Sequence, residues 1–284
     1  MSPATGVGPV QVAGELVGSA EVGPYHHLTL AADGVAERFR PGTTVALRVG
    51  SGERLLRRSL PVHRARTAGA HGSTVEVVLE PTEPGLRWLA DAPVGTPLDV
   101  LGPVGRPFAL PKEPVTCVLV GHGAAAAPLF PLAERLHERH CVVHVLLVAA
   151  TESRLFGALD ARRSTRSVTV VTEDGSVGQH GSVTTALPAL LARVEADVVY
   201  AAGPHAVLHE AALVAEVHGA WSQTLVAVPD GCGTGLCLGC ALPVVGEDGV
   251  TRMVRACTDG PVLRGDRVRW DDLGGVPADA RGAG

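Results

Sequence analysis

From Val10 the chain alternates short β-prone runs with turn residues. VQVAGELV (10–17), YHHLTLAA (25–32), TTVALRVG (43–50), STVEVVLE (73–80) and TPLDVLG (96–102) are separated by gaps rich in Gly, Pro and Asp. Regularly spaced short strands with turn signals predict a small antiparallel barrel over residues 1–111. Residues 86–90 read as one helical turn between two of its strands.

The pattern changes at PKEP (111–114). VTCVLVG (115–121) is a continuous apolar run that passes through a glycine turn into the helical pattern PLFPLAERLHERH (128–140). VVHVLLVAA (142–150), SVTVVTEDG (167–175), a helix near 184–193, DVVYAAG (197–203), a helix over 205–218 and TLVAVP (224–229) continue the alternation. Apolar Val/Leu strands joined by helical crossovers predict a doubly wound α/β domain with a parallel sheet over 112–225. A third, small module follows over 226–270. The tail, 271–284, has little to bury and is expected to be disordered.

Composition narrows the classes. The hydrophobic fraction is 46% but aromatics are only 3%, so small and branched aliphatics must build the core. The formal charge is -5, with no lysine/arginine block. A basic stripe and stacking aromatics are both missing, which argues against nucleic-acid binding. No apolar run reaches membrane-spanning length, and the first residues have neither a basic nor a long apolar leader segment. A reducing, cytoplasmic setting is the expectation, and it suits thiolates that bind metal rather than pair.

The chemistry concentrates in DGCGTGLCLGCALPVVGEDGVTRMVRACTDGP (230–261), which holds four of the six cysteines. Cys232, Cys237, Cys240 and Cys257 follow the spacing C-x4-C-x2-C-x16-C. Three thiolates from one loop and a fourth from further on is the plant-type pattern for a [2Fe–2S] cluster. Interleaved glycines let the backbone wrap tightly and bring N–H groups to sulfur. A four-cysteine zinc site and disulfides are the alternatives; zinc more often takes two short pairs. Cys117 and Cys141 lie in or beside apolar runs and read as buried, inert thiols.

Three turns suit a nucleotide or a diphosphate. Gly121–His122–Gly123 ends the first strand of the α/β part, and Gly203–Pro204 ends a later one. Ligands in such sheets sit beyond the carboxyl ends of strands, where helix N-termini favour phosphate. In the barrel, Arg57 and Arg58 enter a strand after a Gly/Ser turn, and guanidinium forks bind phosphate bidentately. An ordinary tight turn and a solvated edge are the competing readings. His137, His140 and His144 do not converge by local spacing, and His205 reads as a solvated first-turn residue.

The combination resembles the electron-transfer subunit of the two-subunit, NAD-linked dihydroorotate dehydrogenases, within the ferredoxin-reductase-like superfamily. CGTGLCLGC (232–240), ACTDGPV (256–262) and the order of the parts carry the likeness, over about residues 10–270. LLRRSLPV (55–62), LGPVGRPF (101–108), VGHGAAAAPLFPLA (120–133) and AAGPHAVL (201–208) match more loosely. The resemblance implies FAD on the barrel, along Arg58, Ser59, Leu60 and Pro61, with Gly85 and Leu86 beside it. It implies NAD(H) on the α/β part, a [2Fe–2S] cluster on the four cysteines, and an FMN-containing catalytic partner in a heterotetramer. Electrons would then run from dihydroorotate towards NAD⁺, in pyrimidine biosynthesis. Several positions depart from the family pattern. Pro61 replaces a Ser or Thr, Leu86 a Thr, Ala202 a Cys, and Ala227 an acidic residue. A reductase serving another oxidoreductase, or a non-catalytic redox-sensing or scaffold subunit, are the other readings at this point. Arg154 leaves the choice between NADH and NADPH open.

Overall fold

The computed structural model describes residues 8–50, 56–227 and 231–282. The Gly/Ser turn ahead of Arg57, and Asp230, lie outside them.

The first strands are β1 (Val10–Val22), β2 (Tyr25–Ala31), β3 (Thr44–Arg48), β4 (Arg57–Arg66) and β5 (Thr74–Leu79). Helix α1 (Pro84–Asp91) and β6 (Pro97–Val104) complete this unit. The strands close a barrel in the order β1-β2-β5-β4-β3-β6. Closure leaves no free edge, and the interior is filled by Leu16, Leu28, Leu30, Val45, Leu47, Val62, Val75, Val77 and Val100, all fully buried. The expected helical turn is a full helix, α1, entered through Pro84 and capped by the Glu83 carboxylate.

The second part contains β7 (Thr116–His122), α2 (Leu129–Glu138), β8 (Val142–Ala149), α3 (Ala158–Ala161), β9 (Ser167–Thr172) and β10 (Gln179–His180). It continues with α4 (Val183–Val194), β11 (Val198–Ala202), α5 (His205–Val217) and β12 (Trp221–Leu225). Its sheet runs β10-β9-β8-β7-β11-β12, all parallel, with one more strand added antiparallel beyond β12. Helices pack on both faces, which explains why β7, β8 and β11 are almost wholly apolar. The strand order reverses between β7 and β11, so their carboxyl ends form the crevice in which such sheets bind ligands.

The third segment is less separate than its sequence suggests. Strands β13 (Ala241–Val245) and β14 (Thr251–Arg255) form a hairpin-like pair. However, β15 (Val262–Arg264) adds antiparallel to β12 and completes the larger sheet. The tail expected to be disordered makes contacts with the rest of the chain as far as residue 281. Arg281 N–H donates to the Thr251 carbonyl at 2.8 Å, the Asp279 carboxylate meets Arg269, and Ala280 is buried. A few backbone and charge contacts hold a segment that has little apolar surface of its own. No helix among the described residues is long and apolar enough to cross a membrane.

Candidate redox site

The four cysteines meet at one place. The loop that carries Cys232, Cys237 and Cys240 leads into β13, and Cys257 follows β14. The β13–β14 pairing therefore brings the fourth thiol back to the first three. Cys240 and Cys257 are buried with their sulfurs 3.2 Å apart, as free thiols; Cys237 is exposed. Backbone N–H groups of Thr234 and Cys237 donate to Cys232 Sγ at 3.3 and 3.4 Å. Burial opposes a thiolate at Cys232, but the Thr234 side chain and these N–H groups outweigh it, and its pKa falls to about 6. Burial, then the Cys240 thiol, pushes Cys257 up to about 12. A cation placed among these sulfurs would reverse that second effect.

The backbone explains the glycines. Gly233 and Gly235 have φ of +70° and +80°, where a side chain is strained. A Cβ on Gly233 would come within 2.8 Å of Ala46 Cβ on β3. Gly231 accepts a hydrogen bond from the Arg57 N–H at the start of β4. The cysteine loop thus lies directly on the barrel. Donor type, converging sulfurs and N–H groups aimed at sulfur all fit an iron–sulfur cluster. Leu236 and Leu238 flank Cys237 at the surface, 84% and 62% exposed. Leu238 is a non-glycine residue at φ +58°.

Between barrel and cysteines lies a cavity of about 40 Å³. Thr44, Ser59 and Pro61 of the barrel and Cys240, Ala256 and Cys257 of the cysteine segment line it, together with Pro261 and the 225–227 stretch after β12. The Ser59 hydroxyl is buried without a hydrogen-bond partner among the described residues. The Thr258 hydroxyl, beside Gly235, is in the same condition. Buried polar atoms without partners are rare and point to a missing ligand or water. The two strand-alternating residues Ser59 and Pro61 face this junction, whereas Leu60 between them packs into the barrel core.

The arginines behave differently from each other. Arg57 forms a two-point pair with Asp99 on β6, at 3.0 and 3.1 Å, and serves the barrel wall. Arg58 donates to both oxygens of Glu83, Nε to Oε1 at 2.6 Å and Nη2 to Oε2 at 2.8 Å. The N–H groups of Gly85 and Leu86 donate to the same carboxylate at 3.2 and 3.0 Å. A guanidinium fork and a helix N-terminus are the usual donors to a phosphate. Here they hold a carboxylate of the chain itself. The Arg58 hydrogen bond, ahead of the opposing burial, draws the Glu83 pKa down to about 2. For FAD the fit is therefore partial: the unpartnered Ser59 hydroxyl and the cradle type favour it, while Glu83 sits on the donors.

In the α/β part, β7 and β11 are neighbours with Ala202 paired to Gly121. The turns Gly121–His122–Gly123 and Gly203–Pro204 therefore lie side by side at the strand-order reversal. A Cβ at Gly203 would lie 3.1 Å from His122 Cβ, and one at Gly121 would lie 2.5 Å from Ala126 Cβ. Helix α2 begins at Leu129, close to where the sequence pattern starts, and a short 3-10 turn over Gly123–Ala126 precedes it. Helix α5 starts right after Pro204 with no side-chain cap. Its His205 Nε2 lies 2.8 Å from the Ala227 carbonyl oxygen, which joins this turn to the cysteine side. Arg154 is paired with Glu80 on the barrel at 2.8 Å.

Residues 231–269 match the family model described as the iron–sulfur cluster binding domain of dihydroorotate dehydrogenase B. The chain is 33% identical over 246 residues to a dihydroorotate dehydrogenase B (NAD(+)) electron transfer subunit homolog of Thermotoga maritima, covering 84% of this chain and 81% of that one. It is 32% identical over 247 residues to the dihydroorotate dehydrogenase B (NAD(+)) electron transfer subunit of Bacillus caldolyticus, covering 86% and 92%. Among solved structures, an NADH-dependent reduced ferredoxin–NADP oxidoreductase described for flavin-based electron bifurcation superposes with a TM-score of 0.80. That match has 26% identity and covers 92% of this chain and 91% of the other. A ferredoxin NADP+ reductase from Neisseria gonorrhoeae, with bound FAD and NADP, shares the fold at TM-score 0.59 and 15% identity, covering 74% and 92%.

Proposed function

The chain belongs to the family of dihydroorotate dehydrogenase B electron-transfer subunits, and from that premise we propose that it links NAD(H), FAD and a [2Fe–2S] cluster to an FMN-containing catalytic subunit that oxidises dihydroorotate. In this reading residues 1–111 hold the flavin, 112–225 the nicotinamide nucleotide, and 226–270 the cluster and the exit to the partner. A heterotetramer of two such pairs is the expected assembly.

A flavin accepts the two electrons of a hydride together and releases them singly, and a [2Fe–2S] centre carries one at a time. The chain's own residues supply position. Cys232, Cys237, Cys240 and Cys257 hold the cluster, and the N–H groups of Thr234 and Cys237 stabilise charge on sulfur. Ser59 offers a hydroxyl at the barrel face nearest the cysteines. Gly203 and Pro204 present backbone at the crevice between β7 and β11, and the buried Gly121 and Gly123 shape its other wall by letting Ala126 and Tyr25 pack close. Arg58, Gly85 and Leu86 form the anion cradle beside the barrel. Arg57 and Leu60 support β4 rather than touch a ligand through their side chains.

The observation that carries this reading is the shared cavity. Ser59 and Pro61 of the barrel and Cys240 and Cys257 of the cluster loop line one small space. A flavin over that barrel face would lie next to the cluster, with no further carrier between them. Anaerobic purification tests it. The expected result is a visible spectrum with flavin and iron–sulfur bands, both bleached by NADH, and co-purification with an FMN-containing subunit. Stoichiometric zinc in place of iron, with no flavin, would overturn the reading.

A further inference from the structure

A second group of ligand-type side chains lies away from the cysteines, where the barrel packs on the α/β part. His27 on β2, His63 on β4 and Glu76 on β5 each offer one donor atom, and the three atoms lie within 4.8 Å of one another. Strand register explains the convergence. Strand β4 pairs Val62 with Val77 and Arg64 with Glu76, so His63 is the extra residue of a bulge. A bulge turns a side chain out of the strand's ordinary alternation. His63 and Glu76 are buried, and the His27 side chain is 29% exposed, which leaves one side open for entry.

Three details fit a metal centre. First, His63 Nδ1 lies 3.0 Å from the Ala127 carbonyl oxygen, so that nitrogen carries the proton and Nε2 is left as the donor. A backbone carbonyl fixing the tautomer is the common outer partner of a metal-bound histidine. Second, His27 Nε2 and Glu76 Oε2 are 3.1 Å apart, while donors on a tetrahedral zinc lie roughly 3.3 Å apart. Third, the two imidazole centroids are 5.2 Å apart at 76°. Two imidazoles on one tetrahedral zinc hold their centres roughly 5 Å apart. Meanwhile Arg66 approaches the other Glu76 oxygen, Oε1, at 3.4 Å. Glu76 can thus bind through Oε2 alone.

We infer that His27, His63 and Glu76 form a site for a single zinc-like divalent ion, which clamps strands β2, β4 and β5 beneath the α/β part. Two imidazoles, one carboxylate and one open position for water make up its coordination. The site is separate from the redox path and does not depend on the flavin or nucleotide assignments. Phe130 and Phe156 pack edge-on against the His63 ring and tilted against one another, so the α/β part covers the buried side of the site.

The test uses the anaerobically isolated protein with its iron–sulfur cluster in place, equilibrated with Zn²⁺ and freed of excess metal. The expected result is one zinc per chain, with an X-ray absorption shell of nitrogen and oxygen at about 2.0 Å and an imidazole outer-shell pattern. His27→Asn and, separately, Glu76→Gln weaken zinc binding on the order of 100-fold while iron content and the visible spectrum stay unchanged. His27 is part-exposed, so its variant remains informative even if a His63 variant fails to fold. No retained zinc, sulfur in the zinc shell, or zinc binding by both variants as tight as the parent's would overturn the assignment.

Discussion

The Arg58 guanidinium grips the Glu83 carboxylate at two points, 2.6 and 2.8 Å, at the spot where α1 begins. Gly85 is required there, because a Cβ would meet Arg58 Nε and Glu83 Oε1, each at 3.0 Å. The cradle expected to face a flavin diphosphate is closed by the chain's own anion. Any phosphate that enters must displace a carboxylate or share its donors.

Glu83→Gln should therefore tighten FAD binding. The pair is about one-third exposed, so it is worth no more than about 1 kcal/mol, or roughly fivefold in Kd. Flavin fluorescence titration of the protein stripped of FAD measures this. Arg58→Ala should weaken FAD in the same assay. The pH dependence has a fixed sign. The Glu83 pKa is depressed in the folded chain, to about 2, so its contribution to stability is complete above the ordinary carboxylate range near 4.5. It fades as pH falls from there through about 2. Stability of the parent and of Glu83→Gln should differ at neutral pH and converge towards pH 2 in denaturant melts.

Gly233→Ala tests how the cluster loop rests on the barrel. The residue has φ +70°, and a methyl group would press on Ala46 Cβ at 2.8 Å. Backbone strain and overpacking together should cost roughly 1–3 kcal/mol, borne by the loop. The expected outcome is faster loss of visible absorbance on dilution into chelator, with the barrel's far-ultraviolet signal unchanged.

Much of this architecture is legible in the residues. Alternating Val and Thr runs mark the barrel, continuous Val and Leu runs mark a sheet covered on both faces, and the cysteine spacing marks the cluster. What escapes is long-range pairing. Nothing local to VLRG says that Val262–Arg264 joins β12 rather than the cysteine segment. Nothing local to LEPTEPG says that Glu83 meets Arg58, twenty-five positions away. His137, His140 and His144 attract notice because they are close in sequence, yet His144 simply meets Ser167 at 2.7 Å. His27, His63 and Glu76 converge through barrel register and a bulge, which no spacing rule reports. The tail is held by Arg269 and by backbone contacts to Thr251, which composition cannot reveal.

The cysteines should divide cleanly by role. Cys232→Ser, Cys237→Ser, Cys240→Ser and Cys257→Ser should each lower iron and acid-labile sulfide well below the parent, since four thiolates are needed. Cys117→Ser should leave iron intact. Its thiol is fully buried, and burial, then the neighbouring Cys141, pushes its pKa up, so it is poorly suited to act as a ligand. A buried hydroxyl there should instead lower the melting temperature. Iron and sulfide analysis beside a thermal melt separates the two classes.

The last prediction concerns the exit. Leu236 and Leu238 stand in solvent on either side of the exposed Cys237, an unusual use of leucine at the tip of a loop anchored by the buried Gly233, Gly235 and Cys240. Large exposed apolar residues beside a redox centre suit a dry contact with a partner, which shortens the distance electrons must cross. Leu236→Asp should leave iron, flavin and NADH-driven bleaching unchanged, because the side chain is 84% exposed. Binding to the proposed FMN-containing partner should weaken by about 10-fold or more, the loss typical of a buried interface anchor. Surface plasmon resonance with the cluster intact measures this. Unchanged partner affinity would move the docking face away from the cysteine loop.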